Sequence, residues 1–146
     1  MVTNDCVPQL NDILVAKDGS YLKEIFICNE QRTLAILSSI AIFRPNTTII
    51  HPEILLAFLK SPRVLQEVRD NYVSGSALPR IVLKDFKKLT FKLPKISLQD
   101  KIAPLLSSIR EQIAINIAEN HQLIQLRDAL LPKLMSGELD VATIEY

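Results

Sequence analysis

A chain of 146 residues, 48% of them hydrophobic, is long enough for one domain with a real core, and with 5% aromatics and no tryptophan that core must be mostly Ile, Leu and Val. The net charge of +1 names no partner by itself. Two cysteines, Cys6 and Cys28, without a CxxC pair or clustered histidines, exclude a disulfide framework and a zinc site of ordinary spacing.

In chain order, the apolar runs 12–16 and 23–28 flank Lys17-Asp18-Gly19-Ser20-Tyr21. Asp-Gly between two such runs predicts a hairpin, because Gly accepts the positive φ of a tight turn. Residues 34–43 read as a further strand, interrupted by Ser38-Ser39 and ended by Arg44-Pro45-Asn46. His51-Pro52-Glu53 is a helix start, with Pro near the first position and an acid in the first turn. Ser61-Pro62 opens a second helix that sets Val64, Leu65 and Val68 on one face. Residues 73–80 read as a loop, and 81–93 as a turn followed by a strand from Leu89 to Leu93.

At Ser97 the pattern changes. Ser97 and Asp100 have capping-box spacing, and a helical period runs to about Met135, where Gly137 fits a stop. Alternate steps of four and three give Ile102, Leu106, Ile109, Ile113, Asn116, Asn120, Leu123, Arg127, Leu130 and Leu134. Seven of these ten are apolar, which is a packed seam with polar residues at its middle. A helix from 98 to 135 is roughly 57 Å long, too long for its seam to be covered by its own small domain. It therefore calls for a partner helix. Pro104 costs one early hydrogen bond, and Pro132 should kink or end the last turn. The expected fold class is α+β: a small mixed or antiparallel sheet with short helices, then one long coiled-coil-type helix. The expected divisions are 1–96, 97–136 and a tail at 137–146.

Charge is distributed unevenly along these elements. Residues 61–97 carry eight basic groups (Arg63, Arg69, Arg80, Lys84, Lys87, Lys88, Lys92 and Lys95) against three acidic, while 98–146 carry four against seven. The basic middle is either a polyanion-facing surface or an ordinary solvated face. The DNA-contact candidates are Lys17, Asp18, Gly19 and Ser20 on the hairpin tip, the amides of Gly75 and Ser76, and Arg80 and Lys84 beside them. Lys87, Lys88, Lys92 and Lys95 read as solvated charges. Ser38 and Ser39 fit a groove-facing position or an ordinary strand. No apolar stretch reaches the roughly 20 residues that span a bilayer, and no basic-then-apolar leader opens the chain, so a cytoplasmic protein without a membrane partner is expected.

Catalysis finds little support in these residues. There is no Asn/Asp-Pro-Pro-aromatic methyltransferase motif, and three glycines leave little room for a cofactor loop. Pro52-Glu53 and Asp85-Phe86-Lys87 superficially spell a nuclease-like acidic pair, but that chemistry needs both on strands around a metal, and Pro52-Glu53 opens a helix. Neither His51 nor His121 has a carboxylate or nucleophile partner nearby in sequence. No catalytic, cofactor or metal residue is assigned.

Several segments together resemble the specificity subunit of type I restriction–modification systems. They are Asp12 to Ser20, Leu55 to Ser61, Gly75 to Ile81, Lys84-Asp85-Phe86, Phe91 to Pro94, Leu98 to Ala103, Leu123 to Leu131 and Pro132 to Leu139. The resemblance implies a target-recognition domain that reads half of a bipartite site in double-stranded DNA. It also implies a spacer helix that pairs with a second such helix and docks methyltransferase (M) subunits in a complex with restriction (R) subunits. Full members of that family carry two recognition domains and two spacers. Here there is one spacer, and the recognition domain is short of its first few dozen residues, so a homodimer through the helix is the expected substitute. The other reading is a coiled-coil interaction module whose recognition domain is a degenerate remnant.

Overall fold

The computed structural model describes residues 2–3, 7–19, 24–29, 36–74, 80–90 and 92–139. The elements in order are β1 (Val2–Thr3), β2 (Ile13–Ala16), β3 (Ile25–Ile27), β4 (Ile40–Phe43), α1 (Pro52–Leu59), α2 (Pro62–Asn71), β5 (Val73–Ser74), β6 (Arg80–Ile81), α3 (Leu83–Phe86) and α4 (Ile96–Met135). The fold is α+β, and both sheets are antiparallel.

The larger sheet has the order β1-β4-β2-β3. Register explains its core. Ile13 faces Ile27 and Phe43, and Val15 faces Ile25 and Ala41, so the alternate residues of three strands share one face. All six are buried in one cluster with Leu55, Leu56 and Leu59 of α1, Val64 and Val68 of α2, Ile81 and Phe86. Phe86 meets Phe43 edge-on, with ring centroids 5.1 Å apart. On the opposite face, Leu14 pairs with Phe26 and Ile42; Leu14 and Ile42 are buried, and Phe26 is exposed. Burial on both faces at Leu14 accounts for the unbroken apolar run of β2.

The ends of β2 and β4 are tied by a buried charge. Asp12, immediately before β2, is 1% exposed and accepts from Arg44 Nε at 3.0 Å and Arg44 Nη2 at 2.9 Å. Its Oδ2 also accepts from the Gln9 amide at 2.8 Å. This bidentate grip satisfies a carboxylate that water cannot reach. The residue that ends β4 in sequence is thus also the one that neutralises its neighbouring strand.

Both short helices start as the sequence expects. His51 caps α1, its Nδ1 accepting from the Glu53 amide at 3.3 Å, and Ser61 caps α2 through the Val64 amide at 3.4 Å. Elsewhere the structure corrects the reading. Of the strand expected over 34–43, the described residues hold Ile40–Phe43, because Ser38 and Ser39 form a turn closed by the Ile40 amide on the Leu37 carbonyl; residues 34–35 lie outside the described residues. The loop expected at 73–80 is bounded by β5 and β6, which pair with each other; residues 75–79 lie outside the described residues. No strand runs from Leu89 to Leu93 among the described residues. The Lys88 and Leu89 amides are spent on turns back to Asp85 and Phe86, so the alternation there leads into no ladder. β1 has no counterpart in the sequence reading, since two residues show no period.

The chain divides into two compact units, Met1–Leu106 and Ser107–Tyr146. Within the first, α4 begins at Ile96, one residue before the expected cap. The Lys95 carbonyl accepts from the Leu98 and Gln99 amides, so Ser97 lies inside the first turn. Gln99 and Ala103 are the buried residues of α4. Gln99 is fully buried: its Oε1 accepts from the His51 amide at 2.8 Å, and its Nε2 donates to the Ile49 carbonyl at 3.1 Å and the Pro94 carbonyl at 2.8 Å. One amide side chain therefore joins the first turn of α4 to the cap of α1.

The second unit is the remainder of α4 and the short segment after its C-terminus. The helix continues through Pro132 to Met135, then Gly137 takes a φ of +75° and its amide reaches the Leu134 carbonyl. The full helix of forty residues is roughly 60 Å long at the ordinary rise. From Glu111 to Leu139 every described residue is exposed, Ile113, Ile117, Leu123, Ile124, Leu130, Leu131 and Leu134 among them. No helix of the described residues is long and apolar enough to cross a membrane.

Candidate nucleic-acid interface

The tip of the β2 hairpin and the edge strand β6 meet. Gly19 adopts a positive φ (+72°), although the β2–β3 pairing, with Val15 opposite Ile25 and the Ala16 amide on the Glu24 carbonyl, makes the connection longer than the expected two-residue Asp-Gly turn. The Lys17 amide donates to the Ser39 carbonyl at 3.0 Å, and the Lys17 carbonyl accepts from the Ile81 amide at 2.9 Å. Asp18 and Arg80 then form an antiparallel bridge. Three segments distant in sequence (the hairpin tip, the turn before β4 and the strand after β5) are thereby sewn into one corner by backbone hydrogen bonds.

Side chains repeat the connection. Asp18 Oδ1 accepts from Arg80 Nε at 3.0 Å and Oδ2 from Arg80 Nη2 at 3.4 Å. Lys17 Nζ reaches the same Oδ1 at 3.5 Å. The side chains differ sharply in exposure: 14% for Lys17, 13% for Asp18 and 57% for Arg80. Lys17 and Asp18 form the floor of the corner, and the Arg80 guanidinium is its solvent face. Such exposed charge pairs add little stability, about 0–1 kcal/mol, so their arrangement is of interest for what it presents.

The candidates separated in sequence therefore fall into three groups. Lys17, Asp18, Gly19 and Arg80 are brought together, with Ser39 contributing a backbone acceptor; Ser38 is exposed in the same turn. Lys84 is exposed on α3, four residues beyond Arg80. Ser20, Gly75 and Ser76 lie outside the described residues. Of the other basic residues, Arg63, Arg69, Lys87, Lys92 and Lys95 are exposed. Lys88 is tied internally, 2.7 Å from Asp85 and 5.5 Å over the Tyr72 ring, and its hydrogen bond to Asp85 raises its pKa above the ordinary lysine value. Asp85 is thus engaged by a cation, and Glu53, the other half of the nuclease-like pair, is buried in α1. Among the described residues, no group of three or more His, Cys, Asp or Glu could hold a metal ion.

Residues 3–125 match the type I restriction modification DNA specificity domain. The chain belongs to that family. A curated relative, the type I restriction enzyme HindI specificity subunit of Haemophilus influenzae, is 30% identical over 87 residues. That match takes in 60% of this chain and 19% of the relative, so the chain corresponds to a small part of that subunit. The family match encloses the Lys17–Asp18–Arg80 corner, the Gln99 junction and α4 as far as residue 125.

Sequence reasoning misses three residues that hold the frame rather than the corner. Asp12 and Arg44 read as the edge of a run and a strand stop, although an acid and a base flanking paired strands are candidates for an end-to-end clasp. Gln99 stands out in sequence only as part of a motif. A polar residue at the start of an apolar seam is its signal.

Proposed function

We propose that the chain is a DNA sequence-recognition element of a type I restriction–modification complex. It reads one half of a bipartite site in double-stranded DNA through the corner of Lys17, Asp18, Gly19 and Arg80. Ser20, Lys84 and the amides of Gly75 and Ser76 extend that contact. It acts in the cytoplasm without a catalytic site of its own. The methyltransferase subunits dock on α4 and carry the chemistry, and restriction subunits join the assembled complex. The observation that carries this reading is the family match over residues 3–125, which contains the corner and most of α4 together.

The same helix is proposed to pair with a second copy, antiparallel. About residue 118 the seam is symmetric in kind: Ile102 falls opposite Leu134, Leu106 opposite Leu130, Ile113 opposite Leu123 and Asn116 opposite Asn120. Ile109 opposite Arg127 is the one mismatched position.

One observation favours a second reading. Asp18 engages both Lys17 and Arg80, so the charge of the tip is partly cancelled. On that reading the chain is a coiled-coil interaction module with a degenerate recognition domain that binds no DNA. The deciding experiment mixes the full chain with the methyltransferase subunits of its own system and a fluorescent duplex pool. DNA retained only when the chain is present supports recognition. Subunits captured without DNA assign the second reading, and capture of neither overturns both.

A further inference from the structure

We propose that Asp18 is a positioning residue that turns Arg80 from a general phosphate contact into a base reader. This rests on the proposal that the corner faces DNA. A lone exposed arginine is a mobile cation: it attracts any phosphate and must lose rotamer freedom to meet one base. Arg80 is not held that way. Its Nε–Nη2 edge lies along the Asp18 carboxylate, at 3.0 Å and 3.4 Å, a side-on fork that fixes the guanidinium plane. A guanidinium meets guanine O6 and N7 with two donors of one edge, and the Nη1–Nη2 edge is the one that does not lie along Asp18.

The support beneath Arg80 is hydrogen-bonded backbone. Asp18 is 13% exposed and sits in a backbone bridge to Arg80 itself, while the preceding Lys17 is hydrogen-bonded to Ser39 and Ile81. Carboxylate and guanidinium are therefore positioned by the same pairing of β6 with the end of β2. Electrostatics act in the same direction. The carboxylate offsets Arg80 and also lies 3.5 Å from Lys17 Nζ, which lowers the attraction of the corner for phosphate irrespective of sequence. Asp18 costs affinity for DNA in general and sharpens the choice among sequences, which is how discrimination is gained at a polar contact.

The test uses the full chain and a randomised duplex pool, with Asp18→Asn, Asp18→Glu and Arg80→Lys. In nitrogen-15 spectra without DNA, the Arg80 Nε–H signal should be protected in the native chain, lose protection in Asp18→Asn and regain it in Asp18→Glu. On the pool, Asp18→Asn should bind more tightly at low salt. Its log–log salt slope should steepen by about 0.9, the value of one more phosphate contact. Sequencing of bound duplexes should show base preference falling by about 5- to 150-fold at one position, the worth of one bidentate pair. Arg80→Lys should keep the native salt slope and lose the same preference, which separates positioning from misfolding. Unchanged Arg80 spectra, or pool binding by Asp18→Asn with native slope and preference, overturns the role of Asp18 alone. A native chain that retains no duplex overturns the DNA reading, and this inference with it.

Discussion

At Gln99 the structure concentrates three hydrogen bonds in one side chain with no access to solvent. An amide is required there, because one end must accept from the His51 amide while the other donates to two carbonyls. Gln99→Leu should fill the space and leave these groups without that partner. A loss of about 2–3 kcal/mol in urea unfolding is expected. Gln99→Glu keeps the acceptor but aims a carboxylate oxygen at the Ile49 and Pro94 carbonyls. Burial and those carbonyls raise the pKa of the new acid in the folded state, so the folded chain binds the proton more tightly than the unfolded one. Stability of this variant should therefore fall as pH rises above about 4 and recover on acidification. A flat profile between acid and neutral pH would contradict the assigned geometry. The same scale separates the basic residues. Arg80 stands in a built corner, whereas Lys95 is exposed beside the helix start. Arg80→Ala should weaken duplex retention more than Lys95→Ala in a filter-binding titration at low salt; equal losses would place the contact surface elsewhere.

Among the elements, those with a local chemical signal are legible in the sequence. The β2–β3 hairpin is present, although its pairs, Val15 with Ile25 and Ala16 with Glu24, place Asp18-Gly19 off the centre of the connection; the two short helices are announced by His51-Pro52-Glu53 and Ser61-Pro62, and the end of α4 by Gly137. Each sets its own backbone and needs no distant partner. The elements that escape depend on partners far along the chain. β5 and β6 are two residues each and exist because Val73 meets Ile81. The alternation at Leu89, Phe91 and Leu93 suggests a strand, but α3 and the turn after it consume the amides at 88 and 89. The candidate site is readable as residue types and not as a constellation: Asp18 and Arg80 are 62 residues apart, and no period links them. In α4 the helix itself is legible because its pattern is long. Asn116 has a local use, accepting from Gln112 Nε2 at 2.9 Å one turn earlier. A seam asparagine trades stability for register. Asn116→Leu should therefore raise the melting temperature of the associated helix and broaden its register, seen as new crosslinked pairs. A melting temperature unchanged or lowered would mean that position 116 faces no partner.

For the molecule as a whole, the exposed apolar residues of α4 are the ground for expecting a partner. Ile109, Ile113, Leu123, Leu130 and Leu134 are each at least 38% exposed, and Ile117, Ile124 and Leu131 widen the stripe. An apolar surface of that extent is uncommon on a stable monomer. The sequence of the seam argues for an identical copy with opposite direction. A parallel pair sets each residue against itself, so Arg127 meets Arg127 in the middle of an apolar contact. In the antiparallel pair about residue 118, Arg127 meets Ile109 and extends past it toward solvent, and Asn116 pairs with Asn120 on both sides of the two-fold axis. The N-terminal ends of the two helices then lie at opposite ends of the pair, which suits two half-sites separated by a fixed gap. Light scattering of the full chain at tens of micromolar should return twice the monomer mass. Ile102→Cys mixed with Leu134→Cys, in a background with Cys6→Ser, should crosslink between the two variants, and Ile102→Cys alone should not crosslink to itself. A monomer in light scattering removes the dimer, and efficient 102-to-102 crosslinking replaces the antiparallel pair with a parallel one.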